Sequence, residues 1–196
     1  MNPIIKLQSF LLFVMLLSAS IISPAATKTS IFAMGCFWCA EHDMEKVPGV
    51  IDVTSGYTGG NVKNPSYKQV SNGATGHLEA IKVTYNDKLV SYATLLDNFF
   101  RNIDPTDSTG QFCDKGYQYR AAIFYANKEQ ETLAKSKLNE LKKRFGAVSV
   151  LLLPAKEFYH AESYHQDYAS KNPVRYNYYR YRCGRDDRLK EVWGEN

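Results

Sequence analysis

Apolar and polar positions along this chain switch period several times, from the two-residue alternation of a strand to the wider spacing of a helix. The first switch falls at Gly35. Thr29 to Met34 is a β-prone run, and Ala40, Met44 and Val47 then follow at i, i+4 and i+7, which places Cys36 where strand becomes helix. Pro48-Gly49 ends that helix. Val50 to Tyr57 reads as a second strand with Ile51, Val53, Ser55 and Tyr57 on one face, Gly59-Gly60 opens a loop, and Tyr67 to Asn72 has the length of one helical turn. Glu79 to Tyr85 alternates cleanly, and its parity puts the Glu79 carboxylate on the side of Ile81, Val83 and Tyr85. Ser91 then caps a helix whose positions Tyr92, Leu95, Leu96, Phe99, Phe100 and Ile103 keep helical spacing throughout.

A polar loop, Asp104 to Gln118, leads to a strand over Arg120–Tyr125 and a charged helix over Lys128–Phe145 closed by Gly146. A last strand is expected over Val148–Leu153, followed by an aromatic tail with no clear period. The order strand, helix, strand, strand, helix, strand predicts an α+β two-layer sandwich. It would be ferredoxin-like (split βαβ), with a mainly antiparallel sheet, helices packed on it and a long irregular C-terminal tail.

The N-terminus changes the picture of the chain's destination. Lys6 gives a basic start, Phe10 to Leu17 is a compact apolar run, and Ser23-Pro-Ala25 supplies small residues for cleavage. The run is well short of the roughly 20 residues that span a bilayer. The expectation is a signal peptide over 1–25, a single domain over 26–196, export to the periplasm or outside the cell, and no stable membrane association after cleavage. A formal net charge of +4 at pH 7, with no long block of one sign, argues against a polyanionic partner. Arg175 to Arg182 interleaves tyrosine with arginine as a single-strand binder does, yet export and the small charge oppose nucleic acid. A monomer is expected.

Four cysteines, 36, 39, 113 and 183, are too few and too widely spaced for a disulfide framework, so their use reads as chemical. Cys36 at a helix start faces unpaired N–H groups and the positive end of the helix dipole, which favour the thiolate of a nucleophile. Phe37 and Trp38 are either core or the wall of an apolar pocket beside that sulfur. Cys36 and Cys39 also form a C-x-x-C on one helical face, which by itself reads as a thiol–disulfide oxidoreductase. No second Cys or His pair completes a zinc site, so no metal is expected. His77 reads as a loop-ordering residue.

The segments Gly35-Cys-Phe-Trp-Cys-Ala-Glu41, Pro48-Gly-Val50, Ser55-Gly-Tyr-Thr-Gly-Gly60, Asn64-Pro-Ser-Tyr67, Thr75-Gly-His-Leu-Glu79 and Gln118-Tyr-Arg120, with His165-Gln-Asp-Tyr168 and Lys171-Asn-Pro173 beyond them, resemble in order the peptide methionine sulfoxide reductases of the A class. The resemblance covers nearly the whole mature chain. It implies repair of oxidised proteins by reduction of methionine S-sulfoxide, peptide-bound and free, with no bound cofactor. Cys36 would be the attacking thiolate, Phe37 and Trp38 the wall for the substrate's methyl group, and Glu79 the acid. Tyr67 and Tyr119 would bond the sulfoxide oxygen, with Asp114 behind them. The resulting sulfenic acid would condense with a second thiol, and a thioredoxin-like dithiol would reduce the disulfide. The resemblance implies a resolving cysteine in a mobile C-terminal segment, for which Cys183 is the first candidate, ahead of Cys39 and Cys113. Cys39 itself departs from the commoner pattern, which has glycine there.

Overall fold

A computed structural model describes residues 27–194, and the segment read as a signal peptide lies outside them. The chain runs β1 (Thr27–Met34), α1 (Phe37–Glu45), β2 (Val50–Thr58), α2 (Tyr67–Ser71), β3 (Leu78–Asn86) and α3 (Tyr92–Arg101). A small hairpin, β4 (Gly110–Gln111) and β5 (Asp114–Lys115), and a single 3-10 turn over Tyr117–Tyr119 precede β6 (Ala121–Tyr125) and α4 (Lys128–Phe145). β7 (Leu151–Pro154), β8 (Tyr159–His160), α5 (Tyr168–Lys171), α6 (Pro173–Arg182) and α7 (Arg185–Trp193) complete it.

Six strands form one sheet in the order β7-β6-β1-β3-β2-β8. Its centre, β6-β1-β3-β2, is antiparallel throughout and is the split βαβ arrangement that the element order predicts. β7 adds in parallel to β6 after the α4 crossover, and β8 pairs antiparallel with β2. One face of the sheet packs Phe32, Ile81, Val83 and Tyr85 against Ala40 and Met44 of α1, Leu95, Leu96 and Phe99 of α3, and Ala134 and Leu138 of α4. A smaller cluster of Ala33, Leu78, Ala80, Ala122 and Phe124 forms on the other face. The alternation in β3 therefore carries Glu79 onto the helix-covered face, where it is 2% exposed.

Three expectations need correction. Ile51 is 60% exposed, because the β2/β3 register shifts between Val50 and Asp52 and leaves it unpaired on the outside of a bulge. β7 starts at Leu151, three residues later than the β-prone run, because the Ser149 N–H donates to the Pro105 carbonyl at 2.7 Å and its carbonyl accepts from Arg120 at 3.1 Å. Those bonds take the backbone groups a ladder would need. The C-terminal tail is helical rather than irregular. Pro173 opens α6 at a position where the missing N–H costs nothing.

Ion pairs, not an apolar stripe, fix this tail. Arg180 donates from Nη1 to both oxygens of Asp43 at 2.8 and 2.9 Å, and Arg188 donates from Nε to Asp104 at 2.8 Å. The Trp193 indole N–H reaches the Ile103 carbonyl at 2.9 Å. Tyrosine and arginine are spread around α6, with Tyr176 buried and Val174, Tyr178 and Tyr181 exposed, so its sequence shows no helical stripe.

Candidate active site

The site is assembled where β1 hands over to α1. Gly35 has φ +82°, and a Cβ there would lie 2.7 Å from Cβ of Gln111, so both conformation and space require glycine. The turn leaves Cys36 at the N-cap of α1 without a side-chain capping bond. The first free N–H of the helix, on Phe37, instead donates across to Glu79 Oε2 at 3.0 Å. A carboxyl from β3 thus satisfies a helix terminus beside the nucleophile.

A cavity of about 70 Å³ is lined by Cys36, Phe37, Trp38, Tyr67, Glu79, Asp114, Tyr119 and Tyr179. Every catalytic and substrate-binding candidate read from the sequence lies in it. A wider groove of about 750 Å³ between α3 and α7, lined by Asp97, Arg101, Asp186, Lys190 and Trp193 among others, carries no thiol. Burial pushes the Glu79 carboxyl up to about 8 against the opposing Phe37 bond, with the charges of Asp114 and Cys39 adding to the rise. Glu79 is therefore largely a neutral acid near pH 7. Burial also raises Tyr67, to about 12, and Tyr119, with the charge of Glu79 contributing to both, so both stay phenols that donate hydrogen bonds.

A second layer holds these groups. Trp38 donates from its indole to His165 Nδ1 at 3.0 Å and stacks on Tyr168 with ring centroids 3.7 Å apart. His165 also meets the rings of Phe37 and Tyr67 at 4.9 and 4.4 Å. Glu162 accepts from the Tyr57 hydroxyl and the Tyr67 N–H, both at 2.8 Å, which fixes the start of α2. Tyr179 bonds Asp114. Sequence reading missed Tyr179, His165 and Glu162 as site residues; Tyr179 lies one helical turn before Cys183, a relation visible only once the tail is known to be a helix. His77 orders the Gly60 loop as expected, accepting from the Gly60 N–H at 3.1 Å and bonding the Val62 carbonyl at 2.7 Å.

The four cysteines form two pairs. Cys36 and Cys39 are free thiols, 8% and 2% exposed, one helical turn apart at the start of α1. Cys113 and Cys183 are joined in a disulfide, with Cys113 exposed and Cys183 half-buried. Two expectations shift here. Burial, the neighbouring Cys39 and the negative charges of Cys39, Glu79 and Asp114 push the Cys36 thiol up, which outweighs the helix start. The Cys39 thiol is drawn down to about 7 by the bond from Cys36 and, against burial, by the charges of Arg185 and Arg180. Cys183 is also not on a loose arm: it sits between two anchored helices, and its partner is Cys113.

Residues 28–196 match the family model described as "Peptide methionine sulfoxide reductase". The chain belongs to this family. Within it, the "Peptide methionine sulfoxide reductase MsrA 2" of Caulobacter vibrioides is 46% identical over 99% of this chain and 100% of its own length. The "Peptide methionine sulfoxide reductase MsrA/MsrB" of Vibrio cholerae is 53% identical over 91% of this chain, which spans only about half (51%) of that relative. The crystal structure of Mxr1 from Saccharomyces cerevisiae in reduced form superposes with a TM-score of 0.72 at 36% identity, covering 77% of this chain and 88% of that one. The same yeast protein in complex with Trx2 superposes at 0.52 and 25% identity, covering 75% and 88%. These likenesses place the chain in the A class rather than among the thiol–disulfide oxidoreductases.

Proposed function

We propose that this chain reduces methionine S-sulfoxide, free and in oxidised proteins, to methionine, with Cys36 as nucleophile and Glu79 as acid. The observation that carries this reading is the shared cavity, where a neutral buried carboxyl, two phenol donors and an aromatic wall surround one thiol. The substrate's methyl group lies against Phe37 and Trp38, and its oxygen faces Glu79, Tyr67 and Tyr119. Cys36 gives its proton to the neighbouring Cys39 thiolate and attacks the sulfoxide sulfur, while Glu79 protonates the oxygen. One thiol and one sulfoxide become one sulfenic acid and one thioether, so the step balances. Asp114, held by Tyr179, orders the loop that carries Tyr119.

The sulfenic acid condenses with a second thiol of the chain, and an external dithiol reduces the disulfide; no bound cofactor is needed. The relative solved with Trx2 supports a thioredoxin-like donor. The basic start, short apolar run and small residues before Ala26 support export of a domain over 26–196, and mass spectrometry of the mature N-terminus tests this. Turnover of the separated S and R epimers with a dithiol, for wild type and Cys36→Ser, tests the activity. The S epimer alone is expected to react, and Cys36→Ser to lose activity by orders of magnitude. A Cys36→Ser rate within about tenfold of wild type would remove the nucleophile assignment.

A further inference from the structure

We propose that Cys113 and Cys183, once reduced, form with the Asp114 carboxylate a binding site for one divalent cation of the zinc class. Binding there does not depend on which substrate Cys36 attacks.

The fold assembles the ligand set. Cys113 and Cys183 stand 70 residues apart in the chain, so no metal-ligand spacing shows in the sequence. The turn between β4 and β5 brings Cys113 and Asp114 to the C-cap of α6, which is Cys183. Both sulfurs and a carboxylate oxygen of Asp114 lie within 4.8 Å of one another. Tetrahedral zinc takes thiolates at about 2.3 Å and carboxylate oxygens at about 2.0–2.2 Å, so its ligand atoms sit about 3.5–3.8 Å apart. With the sulfur–sulfur bond opened, small side-chain rotations let the three groups surround one ion. Two thiolates with one carboxylate suit zinc, whereas magnesium and calcium prefer oxygen alone. Water completes the tetrahedron.

Two contacts already orient the set. The Cys113 N–H donates to Cys183 Sγ at 3.1 Å, a bond that strengthens when the sulfur is an anion. The Tyr179 hydroxyl donates to one oxygen of Asp114 and so fixes the carboxyl, as partners of metal ligands do. A hollow of about 480 Å³ beside Cys183 gives a hydrated ion its way in. The carboxylates on that hollow, Asp104 and Asp107, are paired with Arg188 and Lys115, which leaves Asp114 as the acidic ligand. Arg185 and Lys115 also act on Asp114 as positive charges. They balance the negative charge that remains when three anionic ligands meet a divalent ion.

Reduction comes first: an external dithiol gives two electrons and two protons to the disulfide and becomes a disulfide itself. Binding then moves no electrons. Each thiol loses its proton to solvent, and each sulfur gives a lone pair to the ion. Oxidation expels the cation, because two sulfurs joined to each other carry no charge to hold it. The joined pair of this structure is therefore the form that does not bind. A bound ion stands at the wall of the substrate cavity, since Asp114 lines it beside Cys36.

The test reduces wild-type protein with a phosphine, which leaves no competing thiol, desalts it without oxygen and titrates it with Co2+. One Co2+ per chain is expected, with a near-ultraviolet thiolate-to-cobalt band and the visible bands of tetrahedral cobalt, both displaced by Zn2+. Oxidised protein should show neither. Cys36→Ser/Cys39→Ser removes the other two cysteines and is expected to keep the spectrum, while Cys183→Ser loses it. Tyr179→Phe should keep the bands but weaken binding by about tenfold or more. The site is overturned if reduced wild type gives no such spectrum, if Cys183→Ser binds Co2+ as tightly as wild type, or if the spectrum is lost with Cys36 and Cys39. Alkylation of reduced wild type needs no variant to fold. Iodoacetamide should label Cys113 in the metal-free protein and be blocked there by Zn2+, and equal labelling in both would also remove the site.

Discussion

The guanidinium of Arg185 lies 4.5 Å over the ring of Phe112, and so joins the residue before Cys113 to the second residue after Cys183. Arg185 is 1% exposed, donates to the Asn102 carbonyl at 2.7 Å and pairs with Asp43 at 3.4 Å. It holds both arms of the Cys113–Cys183 disulfide and places a positive charge near Cys39. Removing one partner of a buried pair strands the other. Arg185→Met is expected to destabilise the fold by about 3 kcal/mol and to raise the pH at which the Cys39 thiolate absorbance appears in the reduced protein. Denaturant unfolding and ultraviolet titration measure the two effects.

Glu79 links activity and stability with opposite signs. Attack needs the thiol pair to lose a proton, which Cys39 does near 7, and needs Glu79 to keep one, which it does below about 8. The single-turnover rate of methionine release is expected to peak between these values. Glu79→Gln should slow it by about 10²-fold or more and remove the alkaline limb. A rate near wild type for this variant would place the acid elsewhere.

Between the unfolded carboxyl value of about 4.3 and about 8, the folded protein holds a proton on Glu79 that the unfolded chain has released. Stability contributed by this group is therefore present at low pH and falls as pH rises through that window. Glu79→Gln buries no charge, and is expected to be more stable than wild type at pH 9 by urea denaturation despite being the poorer enzyme.

Trp38 is held at the cavity by one hydrogen bond to His165 and one ring stack on Tyr168. Trp38→Phe keeps an aromatic surface and loses the bond, worth about 1 kcal/mol. A fall in kcat/KM of about five- to tenfold is expected, while Trp38→Ala should lose considerably more. Steady-state kinetics on a short peptide containing methionine sulfoxide separates the two.

Gly56 has ordinary backbone angles, so its requirement for glycine is spatial. A Cβ would stand 2.4 Å from Cζ of Phe158 and from the Tyr159 carbonyl oxygen, at the β2/β8 pairing. Gly56→Ala should destabilise by about 1–3 kcal/mol, measured by the urea midpoint. An unchanged midpoint would mean that β8 separates from the sheet without cost.

What the sequence could disclose followed from how each feature is encoded. Helix α3 and strand β3 are written in periodic apolar residues, so their faces, and with them the inward Glu79, were readable without coordinates. Ile51 misled because a bulge changes parity without changing composition. α6 and α7 were unreadable because Arg180 and Arg185 hold them through Asp43, a residue far away in the chain, and such pairs leave no period in the sequence. Cys36 and Glu79 could be placed by motif and parity. The Cys113–Cys183 pairing could not, since it depends on where the hairpin at Asp114 meets α6.

The Cys113–Cys183 disulfide closes a span of 70 residues. A cross-link of that reach stabilises a fold by up to about 4 kcal/mol, chiefly by restricting the unfolded chain. Reduction of that bond lifts the restriction, so the melting temperature of this protein is a gauge of the redox state of Cys113 and Cys183. Starved of donor it is at its most heat-resistant, and well supplied it is at its most fragile.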